Sequence, residues 1–276
     1  VGLSRDPDGA ASRLPGAEWH GWPEPAATEP PEGALAGADG IIHLLGEPLD
    51  QRWRPPVKQR LHDSRVLATR NLVTVLRRLP EDRRPPVLIS QSATGYYGPR
   101  GSEPIDEHGP VGEDFLARLV SSWEQEALAA SALCRVVVTR TGVVLAPHGG
   151  ALAKMLPFFR AGVGGPVAGG RQYFPWVHID DLVAALLFCL DNGGVEGPVN
   201  VTSPQGADNA ALARALGRVL RRPAVLPVPA AALKLLYGEM AVIVITGQRA
   251  VPQRLEQLGF GFSHPELESA LRDVLS

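Results

Sequence analysis

Lysine occurs only three times in this 276-residue sequence, at positions 58, 154 and 234, and never four residues after a tyrosine. A Tyr-x-x-x-Lys pair, in which an ammonium one helical turn away lowers a phenol's pKa for proton transfer, is therefore excluded. Cysteine is scarcer still. Cys134 and Cys189 both sit among apolar residues, so they read as buried free thiols in a reducing cytosol, and the expected location is cytoplasmic. Two isolated cysteines build no disulfide framework and lack metal-ligand spacing, so no metal centre is expected. Net charge is only -2, which gives no basis for a nucleic-acid or acidic-membrane partner. The longest apolar run, 230 to 246, is interrupted by Lys234 and Glu239 and falls short of the roughly 20 residues a bilayer span needs. It reads as a buried helix, and neither a membrane anchor nor a signal peptide is expected. A glycine-rich dinucleotide loop is also missing. The run AGVGGPVAGG at 161 to 170 neither follows a strand nor opens a helix, so it reads as a lid or a linker between lobes.

What is present is a succession of periodic segments punctuated by glycine and proline. The stretch VLISQSATGYYG, 87 to 98, runs from a β-branched strand into small hydroxyl residues and an aromatic turn. A central parallel strand of that kind carries Ser90, Ser92 and Thr94 to the rim of an α/β sheet, where ligands bind. Val1 to Leu3 read as the end of a strand, and residues 8 to 37, rich in proline, glycine and alanine, as a long surface connection. Ile41 to Leu45 is a short strand. Pro56 opens a long helix with Val57, Leu61, Leu72 and Leu76 at helical spacing, stopped by Pro80. Residues 112 to 130 are a helix with Phe115, Leu119 and Trp123 on one face, and Val136 to Thr139 is a strand. Asp180 and Asp181 open a further helix from Leu182 to Leu190, as capping and the helix dipole favour. Strand and helix alternate, which predicts a parallel sheet with right-handed crossovers.

These segments resemble the extended short-chain dehydrogenase/reductases, in an atypical branch of NAD-dependent epimerase/dehydratase-like proteins with its own C-terminal domain. The matching pieces are LSRDP at 3 to 7, HLLGE at 43 to 47, DSRVLATRNLV at 63 to 73, SATGYYG at 92 to 98, VTRTGVVL at 138 to 145 and GGRQYFPWVHIDDL at 169 to 182, followed by the tail from 223 to 271. The resemblance implies a Rossmann-like α/β fold, a parallel sheet with helices on both faces and a smaller C-terminal lobe. The division expected is 1–142 with 177–194 for the dinucleotide-binding domain, and 143–176 with 195–276 for the small lobe. It also implies that the chain starts at what is normally the second strand, about 30 residues short of one full strand-helix unit. A sheet lacking its central strand exposes unpaired backbone and bare apolar faces, so a longer natural polypeptide is expected.

The resemblance further implies NADP as cofactor. Ser4 and Arg5 follow the strand whose end meets the adenosine ribose, where an arginine accommodates a 2′-phosphate. Leu44, Leu45 and Gly46 fall against adenine and diphosphate, with Arg65 as a further phosphate or ribose contact, and Ser90, Thr141, Gly142 and Val143 as cofactor neighbours. Ser92 falls in the region of the catalytic hydroxyl. Placing Glu124 on the glutamate that follows the usual lysine puts Leu116 at the tyrosine and Val120 at the lysine, neither able to move a proton. Tyr96 and Tyr97 are then the best substitutes. Glu47, Gln172, Trp176 and His178 are expected to face a small-molecule substrate, and a homodimer is compatible with the composition. The reading is an NADP-binding oxidoreductase or epimerase-like protein, with a catalytically silent nucleotide sensor or scaffold as the rival. A second rival is that these 276 residues alone bind no nucleotide. Calorimetry with NADPH on this chain and on a version extended upstream separates the two rivals: the sensor predicts tight binding by the extended chain, the other binding by the extended chain alone.

Overall fold

The computed structural model describes all residues from Val1 to Ser276. Strand β1 (Gly2–Ser4), helix α1 (Pro7–Arg13) and strand β2 (Trp19–Gly21) form a small unit in which β1 and β2 pair in parallel. Residues 8 to 37 are thus not a plain surface connection. Pro7 stands at the first helical position, the Asp6 carboxylate accepts from the Gly9 amide, and Trp22 is buried with its indole donating to the Thr28 carbonyl. Proline and glycine in the composition masked a capped helix too short to show periodicity.

Strand β3 (Ile41–His43) leads to one long helical passage. It consists of Pro55–His62, a wider π-helical turn at Asp63–Leu67, and α2 (Ala68–Arg78). Strand β4 (Val87–Ala93), helix α3 (Phe115–Leu128) and strand β5 (Arg135–Thr141) follow. After a short strand β6 (Val143–Leu145) come α4 (Gly150–Arg160), β7 (Trp176–His178), α5 (Ile179–Asp191), β8 (Gly197–Val201), α6 (Asn209–Leu220) and a last helix α7 (Leu267–Val274). The main sheet is parallel throughout in the order β8-β5-β4-β3, while β1 and β2 form a separate pair with no ladder to β3.

Alternation along the strands supplies the two faces. Leu88, Val136 and Val138 pack against Leu72, Val73 and Leu76 of α2 and Ala127 of α3. Their neighbours Val87, Ile89 and Val137 join Val199 and Val201 against Ala185, Leu186 and Cys189 of α5. Leu255, Phe260 and Phe262, late in the chain, also pack here. Arg135 stands at the C-terminal end of α5 and donates to the carbonyls of Cys189 and Leu190, groups a helix end leaves without partners, and to the Val195 carbonyl in the following turn. A second core gathers Leu145, Leu152, Leu156, Phe159, Trp176, Leu212, Leu216, Ala270 and Leu271.

The apolar run after Ala230 is not a buried helix. Helix Ala230–Tyr237 ends at Gly238, whose φ of 63° breaks it, and a tight turn at Gly238–Ala241 leads to a short helix Val242–Ile245. Leu235 is 81% and Leu236 63% exposed, and only Met240 and Ala241 are buried, Met240 against Trp53, Leu61 and Trp123 of the large lobe. No helix is long and apolar enough to cross a membrane. Leu88→Ala is expected to cost about 2–5 kcal/mol in urea unfolding. Leu235→Ala is expected to change stability by less than about 0.5 kcal/mol, which a buried helix does not allow.

Candidate active site

The carboxyl ends of β3, β4 and β5 build a rim from which the loops carrying most of the expected site residues depart. After β3, Leu44 is exposed and the turn through Leu45 and Gly46 is held from beneath. Arg65, on the π-helical turn, donates from Nη2 to the Glu47 carbonyl at 2.9 Å and from Nη1 to the Leu61 carbonyl at 3.3 Å, while Ser64 Oγ accepts from the Glu47 amide. Burial lowers the Arg65 pKa to about 10, partly offset by the Glu47 carboxylate. Arg65 is thus not presented outward to phosphate; it props the loop. A Cβ on Gly46 lies 2.9 Å from Arg65 Nη2, so glycine admits the guanidinium as well as any ligand above. Arg5 is exposed at the carboxyl end of β1, and Ser4 Oγ accepts from the Asp6 amide.

Beside that rim lies a buried polar chain. Ser92 Oγ donates to Glu124 Oε1 at 2.5 Å. Glu124 also accepts both arms of Arg140, Nε at 2.9 Å and Nη2 at 2.8 Å. Arg140 Nη1 donates to the Tyr97 hydroxyl at 3.1 Å and to the Glu107 carbonyl, and Tyr97 donates to Asn200 Oδ1 at 2.7 Å. The side chains of Arg140 and Glu124 are 4% and 5% exposed. Burial works against the Arg140 charge, but the Glu124 carboxylate more than compensates and holds its pKa above the ordinary arginine value. Burial pushes the Tyr97 phenol up to about 12. The Glu107 carboxyl, which accepts from the Asn200 amide, is also raised by burial.

This geometry corrects several expectations. The Ser92 hydroxyl donates to Glu124, and the buried Tyr97 hydroxyl is enclosed between Arg140 and Asn200, so both are engaged in the buried polar chain. Ser90 is buried on the same helix-covered face as Ser92. Trp176 belongs to the small-lobe core, and His178 is buried at the start of α5, where its Nδ1 accepts from the Asp180 amide; neither lines a cleft. His178, not the aspartates, is the N-cap. Gln172 donates to the Val167 and Val244 carbonyls, joining the glycine-rich loop to the 242–245 segment. Thr141, Gly142 and Val143 form a turn stitched to Val201 and Pro175, and a Cβ on Gly142 lies 2.8 Å from the Pro175 carbonyl oxygen. Glu47 faces Gln51 and Arg60. A cavity of about 320 Å³ lies between Glu107, Pro198 and Arg254 and contains none of the expected site residues.

Tyr96 remains. It is half-buried, its ring centroid is 3.5 Å from the Arg140 guanidinium carbon, and it meets Tyr97 edge-on. Leu116 packs against Gly95, where a Cβ comes within 2.7 Å of it, and Val120 is buried. Apolar contacts therefore occupy the positions that the alignment gives to tyrosine and lysine. Sequence reasoning passed over Arg140, Asn200 and Glu107, and used Glu124 only to fix the alignment. The available signal was an arginine inside the apolar run VVVTRT: a charge on a buried strand demands a partner.

A parallel sheet with helices on both faces and a polar cluster at its carboxyl rim defines a Rossmann-type, dinucleotide-binding class of α/β protein. Residues 31–202 match the NAD dependent epimerase/dehydratase family, and residues 228–274 match a domain of unknown function, DUF1731. The chain belongs to that epimerase/dehydratase family. The Mus musculus epimerase family protein SDR39U1 is 38% identical over 272 residues, covering 96% of this chain and 90% of the relative. A chloroplastic SDR39U1 homolog of Arabidopsis thaliana is 41% identical over 241 residues, covering 87% of this chain and 70% of the relative. The crystal structure of the human protein SDR39U1 (isoform 2) with NADPH has a TM-score of 0.87 at 33% identity, covering 99% of this chain and 89% of that one. UDP-glucuronic acid 4-epimerase from Bacillus cereus in complex with NAD, at 14% identity and a TM-score of 0.75, shares the fold.

Glu124→Ala leaves Arg140 buried and unpaired and is expected to cost about 3–5 kcal/mol in urea unfolding. A second expectation concerns His43. Its Nε2 shares a hydrogen bond of 2.9 Å with Thr69 Oγ1, which accepts from the Trp123 indole, and burial lowers the His43 pKa to about 4. The folded state resists a proton that the unfolded state takes up below its ordinary value of 6.5. Stability is therefore expected to fall by about 3 kcal/mol as pH drops from 6.5 to 4, and His43→Gln removes that part of the slope in pH-dependent unfolding.

Proposed function

We propose that this chain is an NADP-binding oxidoreductase or epimerase-like protein that works without a Tyr-Lys pair, with Tyr96 as the proton-handling group. The observation that carries the proposal is Arg140: a buried guanidinium, fixed by Glu124, lies against the one half-exposed phenol at the rim. The residues present fit the adenosine end of the cofactor. Arg5 offers an exposed guanidinium at the end of β1, where a 2′-phosphate is read, and exposed Leu44 offers an apolar surface beside the Gly46 turn. The diphosphate end has no glycine-rich loop among these residues. The NADPH-bound human relative supports NADP over NAD.

With NADP bound, the chemistry supplied would be hydride exchange between its nicotinamide and a substrate carbon. The protein's share is to hold the substrate oxygen and exchange a proton with it. The Ser92–Glu124–Arg140 chain positions Tyr96 for that exchange without entering it, and Leu116 and Val120 keep the flank of the site apolar. The apolar flank also favours the second reading, a nucleotide-binding sensor or scaffold without turnover.

Full-length protein is expected to oxidise NADPH with a member of a broad carbonyl panel. Tyr96→Phe is expected to lower the rate by about 10²- to 10⁴-fold with NADPH affinity unchanged. Arg5→Ala is expected to weaken NADPH about tenfold or more, roughly 1.4 kcal/mol, and leave NADH unaffected. Tight NADPH binding with no oxidation across the panel selects the sensor reading.

A further inference from the structure

His178 is 1% exposed. Its Nδ1 accepts from the Asp180 amide at 3.1 Å, so the neutral ring carries its proton on Nε2. That Nε2 is buried and has no hydrogen-bond partner of good geometry, yet it lies 3.2 Å from Asp273 Oδ2. The ring of His264 stacks on His178 with centroids 3.8 Å apart, and His264 Nε2 is 3.8 Å from Asp180 Oδ2. One ligand atom from each of His178, Asp180, His264 and Asp273 falls within 4.8 Å of all the others. Three separate parts of the chain meet there: the start of α5, the loop before α7, and the last turn of α7.

The site is braced. Asp181, buried next to Asp180, accepts from the amides of Ser263 and His264 at 2.7 and 3.0 Å and so fixes the loop that carries His264. Asp273 stands at the carboxyl end of α7, where the helix dipole favours a positive charge. Two carboxylates face each other with no lysine or arginine bonded to either, so their mutual repulsion calls for a cation.

We propose that His264 Nε2 and the carboxylates of Asp180 and Asp273 bind a divalent transition-metal ion of the zinc class, with His178 Nε2–H donating to Asp273 as the outer partner that orients it. His178 is not itself a ligand, because coordination through Nε2 requires loss of its ring proton while Nδ1 accepts from an amide. Ligands about 2.0–2.2 Å from a tetrahedral ion stand about 3.4 Å apart, close to the spacing of His264 and Asp180. A histidine-carboxylate set selects zinc over magnesium or calcium, which take oxygen ligands. The exposure of both carboxylates, 70% for Asp180 and 55% for Asp273, leaves water to complete the coordination. A buried histidine donating to a ligating carboxylate is an orienting contact of the kind that sharpens metal affinity. The ion ties α7 to the start of α5.

The test is calorimetric titration of tag-free, chelator-stripped protein with zinc sulfate, and separately with magnesium chloride, accompanied by thermal unfolding. One equivalent of zinc is expected to bind saturably and raise the unfolding midpoint, with magnesium at least tenfold weaker. Asp273→Asn and His264→Gln are each expected to weaken zinc at least tenfold. Circular dichroism verifies folding, and Asp180→Asn, at the most exposed position, serves if either variant unfolds. Cobalt(II) is expected to give a visible absorption band that these substitutions abolish. Absence of saturable zinc binding, or affinity unchanged in the variants, overturns the proposal and leaves the cluster as a His178–Asp273 charge contact only.

Discussion

The ion pair of Glu124 and Arg140 is the contact on which the rim depends. Both charges are taken out of water, so each is tolerated only because the other is there with two aligned hydrogen bonds. The pair joins α3 to β5, and its remaining polar atoms reach Ser92 on β4, Tyr97 in the following turn and, through Tyr97, Asn200 on β8. Three adjacent strands and one helix are thereby fixed relative to one another at the carboxyl end of the sheet. Apolar packing sets the distance between sheet and helices; the ion pair sets their register.

That arrangement has a chemical consequence. Groups that look reactive in the sequence, the Ser92 hydroxyl and the Tyr97 phenol, are consumed by the scaffold. What reaches the surface is the ring of Tyr96, backed by the Arg140 guanidinium, with Leu116 packed against the neighbouring Gly95. The family's fold is retained, with Leu116 so packed and Val120 buried beside the turn.

The two lobes are joined by more than the chain. Met240 inserts into the cluster of Trp53, Leu61 and Trp123, and ion pairs link Lys58 to Glu239 and Lys154 to Asp50. The segment from Leu226 to Val244 has its backbone bonded to the glycine-rich loop at Gly164 and Pro166, and its Met240 lies among Trp53, Leu61 and Trp123. It therefore exposes Leu235 and Leu236 instead of folding into a core: its contacts are made at its ends.

The sequence by itself determined the strand and helix alternation, the parallel sheet and the absence of a Tyr-Lys pair. These are local properties, readable from side-chain period and residue spacing. It also singled out the 92–98 turn, which carries Ser92 and Tyr97 of the buried polar chain. Tertiary structure alone decided which of its residues are enclosed and which stay partly open to solvent. Ser92 and Tyr96 lie four positions apart in one motif, yet one points under α3 and the other toward the rim, because Glu124 and Arg140 arrive from elsewhere in the chain. Trp176 and His178 were drawn into the core for the same reason. Burial and partnership are sums over residues distant in sequence, and no local pattern encodes them; only a charge stranded in an apolar run, such as Arg140, announces that a partner must exist.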